Sequence, residues 1–143
     1  MKAGKALGVM NFFRRKSPWV YLLSQGTCNG CELECFAAFA PRFDPERMGA
    51  RLVASPRQAD LVLLTGCGTK KASEKARRVF SQVPEPKTVV QVGACAINGG
   101  VFKCPGPRLG GPSQVKVEGC PPDPTEILTA IKKAMEEMTC SER

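Results

Sequence analysis

Cys28 and Cys31 stand in the tetrad Cys28-Asn29-Gly30-Cys31. That spacing delivers two thiolates to one metal centre. Gly30 allows the tight turn such a loop needs. If the tetrad opens a helix, the free N–H groups of its first turn stabilise thiolate charge. Cys95 follows Gly93-Ala94, and Cys120 lies in Gly119-Cys120-Pro121-Pro122. Small residues ahead of each thiol let backbone N–H groups approach an inorganic guest, while the two prolines hold the chain extended and exclude water. The chain has eight Cys and no His among 143 residues. This composition excludes a His-based triad, a His-ligated haem and any mixed Cys/His zinc site.

The elements that must position these thiols are legible as short apolar runs between turn signals. Strands are expected at 19–24 (WVYLLS), 51–54 (RLVA), 60–65 (DLVLLT), 88–93 (TVVQVG) and 115–118 (VKVE). Continuous rather than alternating apolar runs predict strands covered on both faces, as in a parallel sheet. Helices fit between them. One spans 32–40, with Leu33, Phe36, Ala37 and Ala40 on one face, and stops at Pro41. A second spans 70–82, with Ala72, Ala76, Val79, Phe80 and Val83 at helical spacing. The last has Asp123 as N-cap, Pro124 at its first position and Glu126 three residues after the cap. Its apolar stripe is Ile127, Ile131, Ala134/Met135 and Met138. Strands alternating with helices predict one α/β domain of the doubly wound kind. Residues 96–114 hold five Gly and three Pro in nineteen positions. They are expected to be neither helix nor central strand, and a loop of that length is usually functional.

Placed on this layout, Cys28, Cys31, Cys67, Cys95 and Cys120 each follow the end of a strand. Parallel strands bring those ends to one edge, where open α/β sheets form their sites. A thioredoxin-type dithiol needs only the CxxC pair. Structural zinc commonly takes two CxxC knuckles, and here one exists. Single thiols joined by topology to one CxxC favour a 4Fe–4S cluster. Cys35, one helical turn after Cys31, reads as a small buried hydrophobe. Cys104 borders the site or an interface, and Cys140 is a free thiol in a charged tail. Cys67 is left open between ligand and neighbour.

Twenty-one Lys and Arg against thirteen Asp and Glu give a net charge of +8. Lys2, Lys5, Arg14, Arg15 and Lys16 all precede the first acid, Glu32. Residues 1–16 are therefore a basic segment ahead of a domain at 17–140, suited to solvent or to an anionic surface. No basic–aromatic stripe marks a nucleic-acid site. Arg14-Arg15 is followed by only five apolar residues, too few for an export signal. No run is long and apolar enough to span a membrane. A cytoplasmic setting is expected, where disulfides are disfavoured and clustered Cys point to metal.

The blocks SPWVYLLSQGTCNGCELE, SPRQADLVLLTG, VGACAINGGVF and GCPPDPTEIL, in that order, resemble the small subunit of energy-converting, membrane-bound nickel–iron hydrogenases. They are also similar to the homologous 20-kDa-type, NuoB-like subunit of respiratory complex I. The resemblance runs from Ser17 to Met138 and implies a flavodoxin-like fold with one 4Fe–4S cluster. It matches Cys28, Cys31, Cys95 and Cys120 to the four ligands. It implies a non-catalytic electron relay within an oxidoreductase complex, at the cytoplasmic face of the cell membrane and without a membrane span. The implied partners are a large nickel–iron hydrogenase-like subunit, a ferredoxin-like iron–sulfur subunit as electron source, and membrane-arm subunits. Complex I subunits typically carry adjacent cysteines where this chain has CNGC, the hydrogenase-branch form. Sulfane or quinone reduction in a related complex is the alternative, and a structural zinc module a second one. Glu34 matches a recurrent acid after the second ligand, where it serves proton traffic or simply the helix dipole. Two departures stand out: Cys67-Gly68-Thr69 after Thr65-Gly66, and Cys104 between the third and fourth ligands.

Overall fold

The computed structural model describes residues 16–104, 109 and 114–140. The readings made for residues 1–15, basic segment and paired arginines alike, lie outside the described residues, as does the side chain of Cys140. The most apolar run, Leu61–Thr65 (β3), is buried along its whole length. Only a central strand has both faces covered, and β3 lies third in a five-stranded sheet. Its neighbours are β1 (Trp19–Ser24) and β4 (Thr88–Val92), with β2 (Arg51–Leu52) and β5 (Gln114–Val117) at the edges. The order is β2-β1-β3-β4-β5 and every pairing is parallel. This is the doubly wound parallel sheet that the apolar runs predict, in the flavodoxin-like order that the resemblance implies.

Alternation along the strands sorts the core into two layers. Val20, Leu61, Leu63, Val90 and Val92 face one side, where helices α1 (Gly30–Ala38) and α4 (Pro124–Cys140) cover them with Cys35, Ala38, Ile127 and Ile131. Leu23, Val62, Leu64 and Val89 face the other, under Ala76, Val79 and Phe80 of α2 (Lys70–Phe80). The Thr69 hydroxyl caps α2 by accepting from the Ala72 N–H at 3.4 Å. Asp123 caps α4, its carboxylate accepting from the Thr125 N–H at 2.8 Å. Asp60, just before β3, accepts from the Trp19 N–H at 3.2 Å and so fixes where β1 begins.

Three expectations are corrected. The strand expected at 51–54 pairs over only two residues, because the chain there runs along the sheet's edge. The helix after the CxxC buries Cys31, Cys35 and Ala38, not the predicted face. Leu33 and Phe36 point outward, 66% and 52% exposed. Residues 96–114 are not wholly irregular, since α3 (Ala94–Asn98) runs into them before Gly99 ends it in a left-handed conformation. The crowded stripe of α4 behaves as read: Ile127, Ile131 and Ala134 have no exposed surface.

Ile131→Ala in the full chain is expected to cost about 2–5 kcal/mol of stability, the range for emptying such a site. A urea midpoint shows it directly, and the exposed neighbour Lys132→Ala serves as a control expected to change stability by less than ~0.5 kcal/mol.

Candidate metal centre

Four loops leave the sheet at the carboxyl edge, after β1, β3, β4 and β5, and glycines decide how close they come. After β1 the Gln25 N–H donates to the Thr65 carbonyl at 2.9 Å, carrying the β1–β3 pairing one residue further. Gly66 (φ +92) then packs against the other loop so closely that a Cβ there would lie 2.7 Å from Thr27 Cγ2 and 2.8 Å from the Gly26 carbonyl. The Cys67 N–H donates to that same Gly26 carbonyl at 3.3 Å. Asn29 takes a left-handed conformation (φ 67) and starts α1. As a result Cys28 stays exposed at the rim and Cys31 turns inward, buried.

Beyond β4, the Gly93 N–H donates to the Val117 carbonyl at 2.8 Å and the Ala94 N–H to the Gly119 carbonyl at 2.9 Å. These bonds hold the β4 and β5 loops together as they leave the sheet. A Cβ on Gly93 (φ +87) would stand 2.6 Å from Cys31 Sγ, so this position has room for the sulfur only because it is glycine. Cys95 sits in the first turn of α3, half-buried. Cys120, after β5, is exposed. The loop it begins crosses back to the CxxC turn: a Cβ on Gly30 would be 3.7 Å from Cys28 Sγ and 3.9 Å from Pro121 Cβ. Four loops distant in sequence therefore meet at one edge.

The thiols feel one another there. Burial pushes the Cys31 thiol up, and negative charge on Cys95, Cys120 and Cys28 pushes it further. Burial also raises Cys95, helped by Cys120, Cys28 and Cys104. For these two thiols, each negative charge on a neighbouring sulfur adds to the cost of ionisation. Among the described residues, no three Cys, Asp or Glu side chains are arranged to close on a single metal ion. Cys28, Cys31, Cys95 and Cys120 lie on the loops that converge at this edge.

The other cysteines divide. Cys35 is buried in the core and its thiol is pushed up to about 12, first by burial and then by Cys31, Glu32 and Glu34. Cys67, which sequence left open between ligand and neighbour, meets Cys104 instead, with 2.6 Å between the sulfurs. That contact, followed by burial, raises Cys67 to about 11. No spacing rule foretold the pair, because it depends on how the chain reverses at Gly99 and Gly100. Sequence singled out Glu34, but the acid held at the edge is Glu32. Its carboxylate accepts from the Thr27 hydroxyl at 2.9 Å and the Thr65 hydroxyl at 3.5 Å. The signal was present in its place at the first turn of α1, beside the polar ends of β1 and β3.

No helix among the described residues is long and apolar enough to cross a membrane. Comparison with known proteins places this geometry in a family. Residues 28–134 match the family model described as "NADH ubiquinone oxidoreductase, 20 Kd subunit". The chain is 43% identical over 132 residues to the "Probable membrane-bound hydrogenase subunit mbhJ" of Pyrococcus furiosus, covering 88% of this chain and 78% of that protein. It is 40% identical over 126 residues to formate hydrogenlyase subunit 7 of Escherichia coli, covering 85% of this chain and 49% of that subunit. Among solved structures it resembles a chain of an archaeal membrane-bound sulfane sulfur reductase, with TM-score 0.76 and 34% identity, over 94% of this chain and 77% of that one. The chain belongs to the family of the 20-kDa subunit of NADH:ubiquinone oxidoreductase, whose members include subunits of membrane-bound hydrogenase and complex I-like oxidoreductase complexes.

Proposed function

We propose that the chain is an electron-transfer subunit and that Cys28, Cys31, Cys95 and Cys120 hold one 4Fe–4S cluster. One observation carries this reading: Cys31 is buried against Gly93, where loops after three different strands, bearing Cys28, Cys95 and Cys120, close on one another. The residues fit the group. Every donor is sulfur, as such a cluster takes. Gly93 leaves space against Cys31 where any side chain would intrude. When bound, the cluster supplies a one-electron site, and its iron compensates the thiolate charge that the bare edge cannot hold. Cys31 anchors it from the protein side, Cys95 from the first turn of α3, and the exposed Cys28 and Cys120 from the rim. An exposed rim suits a relay that must pass electrons across a subunit boundary.

The same segments carry the apolar surface. Leu33 and Phe36 lie on α1, which begins at the CxxC, while Val101 and Phe102 follow α3, which carries Cys95. They are 66%, 52%, 89% and 73% exposed. An apolar patch around a redox site marks a docking face. We assign it to a large hydrogenase-like subunit, reached by electrons from a ferredoxin-like iron–sulfur subunit. The assembly would sit on the cytoplasmic face of the membrane, with residues 1–16 toward the membrane arm and 17–140 forming the relay domain. The membrane-bound complexes to which the relatives belong support this placement. Reduction of sulfane sulfur in place of protons is the second reading, favoured by the likeness to the sulfane sulfur reductase chain.

Serine at position 28, 31, 95 or 120 is expected to lower cluster content and electron flow in the purified complex, read by visible absorption and electron paramagnetic resonance. Cys104→Ser is expected to keep the cluster. If Cys67→Ser empties the site and Cys120→Ser does not, the ligand assignment is wrong. Gly93→Val makes an independent check. Its side chain meets Cys31 Sγ, so cluster content falls although no ligand is altered; a full cluster in this variant contradicts the assignment. Leu33→Asp with Phe36→Asp is expected to reduce co-purification of the large subunit while leaving the chain folded by circular dichroism.

A further inference from the structure

We propose that Cys67 and Cys104 are a reversible dithiol–disulfide couple, a second sulfur site that exchanges with small disulfides beside the four candidate ligands. The inference stands apart from the cluster reading and uses none of its ligands as a reacting group. Its basis is geometric. The two sulfurs lie 2.6 Å apart, about 0.6 Å beyond the length of a disulfide bond. Backbone positions that favour glycine set both of them. Gly66 (φ +92) turns the chain out of β3 to present Cys67. Gly99 (φ +82) and Gly100 (φ +56) turn it back after α3, where a Cβ on Gly99 would lie 3.2 Å from the Cys104 N–H nitrogen. Cys67 is fixed from behind by its N–H to the Gly26 carbonyl at 3.3 Å. Neither thiol is fully buried.

The surroundings are also those of an exchange site. A cavity of about 10 Å³ opens among Gln25, Gly66, Cys67, Cys95 and Cys104, room for roughly one water-sized group. Gln25, which lines it, is buried, and its side-chain Nε2 has no hydrogen-bond partner among the described residues.

The reaction balances without another reagent. One thiol gives up its proton and attacks a sulfur of the oxidant R–S–S–R. Its S–S bond breaks and the first R–SH leaves with that proton. The second thiol then attacks the protein sulfur of the mixed disulfide and releases the second R–SH. The pair is oxidised by two electrons, and the small disulfide is reduced by the same two. The product ties Cys104, within the Gly- and Pro-rich segment, to Cys67 in the loop after β3, next to Cys95.

The test uses the complex purified anaerobically, treated with 2-hydroxyethyl disulfide, alkylated and mapped by peptide mass spectrometry. The expected result is a joined pair of peptides bearing Cys67 and Cys104, lighter by two hydrogens, reversed by dithiothreitol, with iron and sulfide unchanged. In Cys67→Ser the probe should remain on Cys104 as a stable mixed disulfide, and in Cys104→Ser on Cys67. Full alkylation of both thiols after treatment, a probe adduct persisting on either thiol of the unaltered chain, or a bridge to Cys95 would overturn the proposal. A bond that forms in protein lacking iron and sulfide leaves this inference intact and refutes the relay reading. Retained iron and sulfide with no bond does the reverse.

Discussion

Everything at the carboxyl edge answers to one constraint: several sulfur donors gathered in a partly dry place cannot all carry charge unless something positive joins them. Cys31 shows the cost most clearly, since burial and three neighbouring thiols all oppose its ionisation. A protein does not gather such groups for stability, because an apolar side chain would serve the core better. In the proposed account a guest explains the gathering. A cluster held by Cys28, Cys31, Cys95 and Cys120 would supply iron to offset the thiolate charge.

The sheet makes the gathering possible. Five parallel strands in the order β2-β1-β3-β4-β5 send the loops after β1, β3, β4 and β5 to one edge, and the connections diverge between β1 and β3, the switch point where such sheets bind ligands. Glycine sets the final distances. Gly66 allows the β1 and β3 loops to touch, Gly93 admits the Cys31 sulfur, and Gly119 (φ +138) starts the turn that brings Cys120 back, with Pro122 packed behind it. The chain spends its conformational freedom at the site and its apolar side chains beneath it.

Much of this was legible in the sequence, for a physical reason. The β3 run is apolar at every position because both its faces are covered, so its burial and its central place could be read together. The α4 stripe followed from helical spacing. What stayed hidden depended on surfaces rather than periodicity. The apolar residues of α1 lie all around the helix, and a sequence cannot distinguish a face that meets the core from one that meets solvent or another subunit. Leu33 and Phe36 were thus placed inside, while the small Cys31–Cys35–Ala38 stripe went there instead. The Cys67–Cys104 contact was invisible because it joins a strand end to a loop that folds back through glycines, with no regular spacing between them. Glu32 carries no spacing signal of its own because its partners come from distant segments, Thr27 from the loop after β1 and Thr65 from the end of β3.

The central claim is that the four thiols belong to an iron–sulfur cluster and not to a lone ion. Metal and acid-labile sulfide analysis of the anaerobically purified complex, normalised to this chain after the other subunits are accounted for, tests it most directly. The account predicts iron and sulfide in equal amounts, about four of each, the content of one cubane, and no zinc. Zinc at about one per chain with no sulfide, the signature of a structural tetrathiolate site, would contradict it.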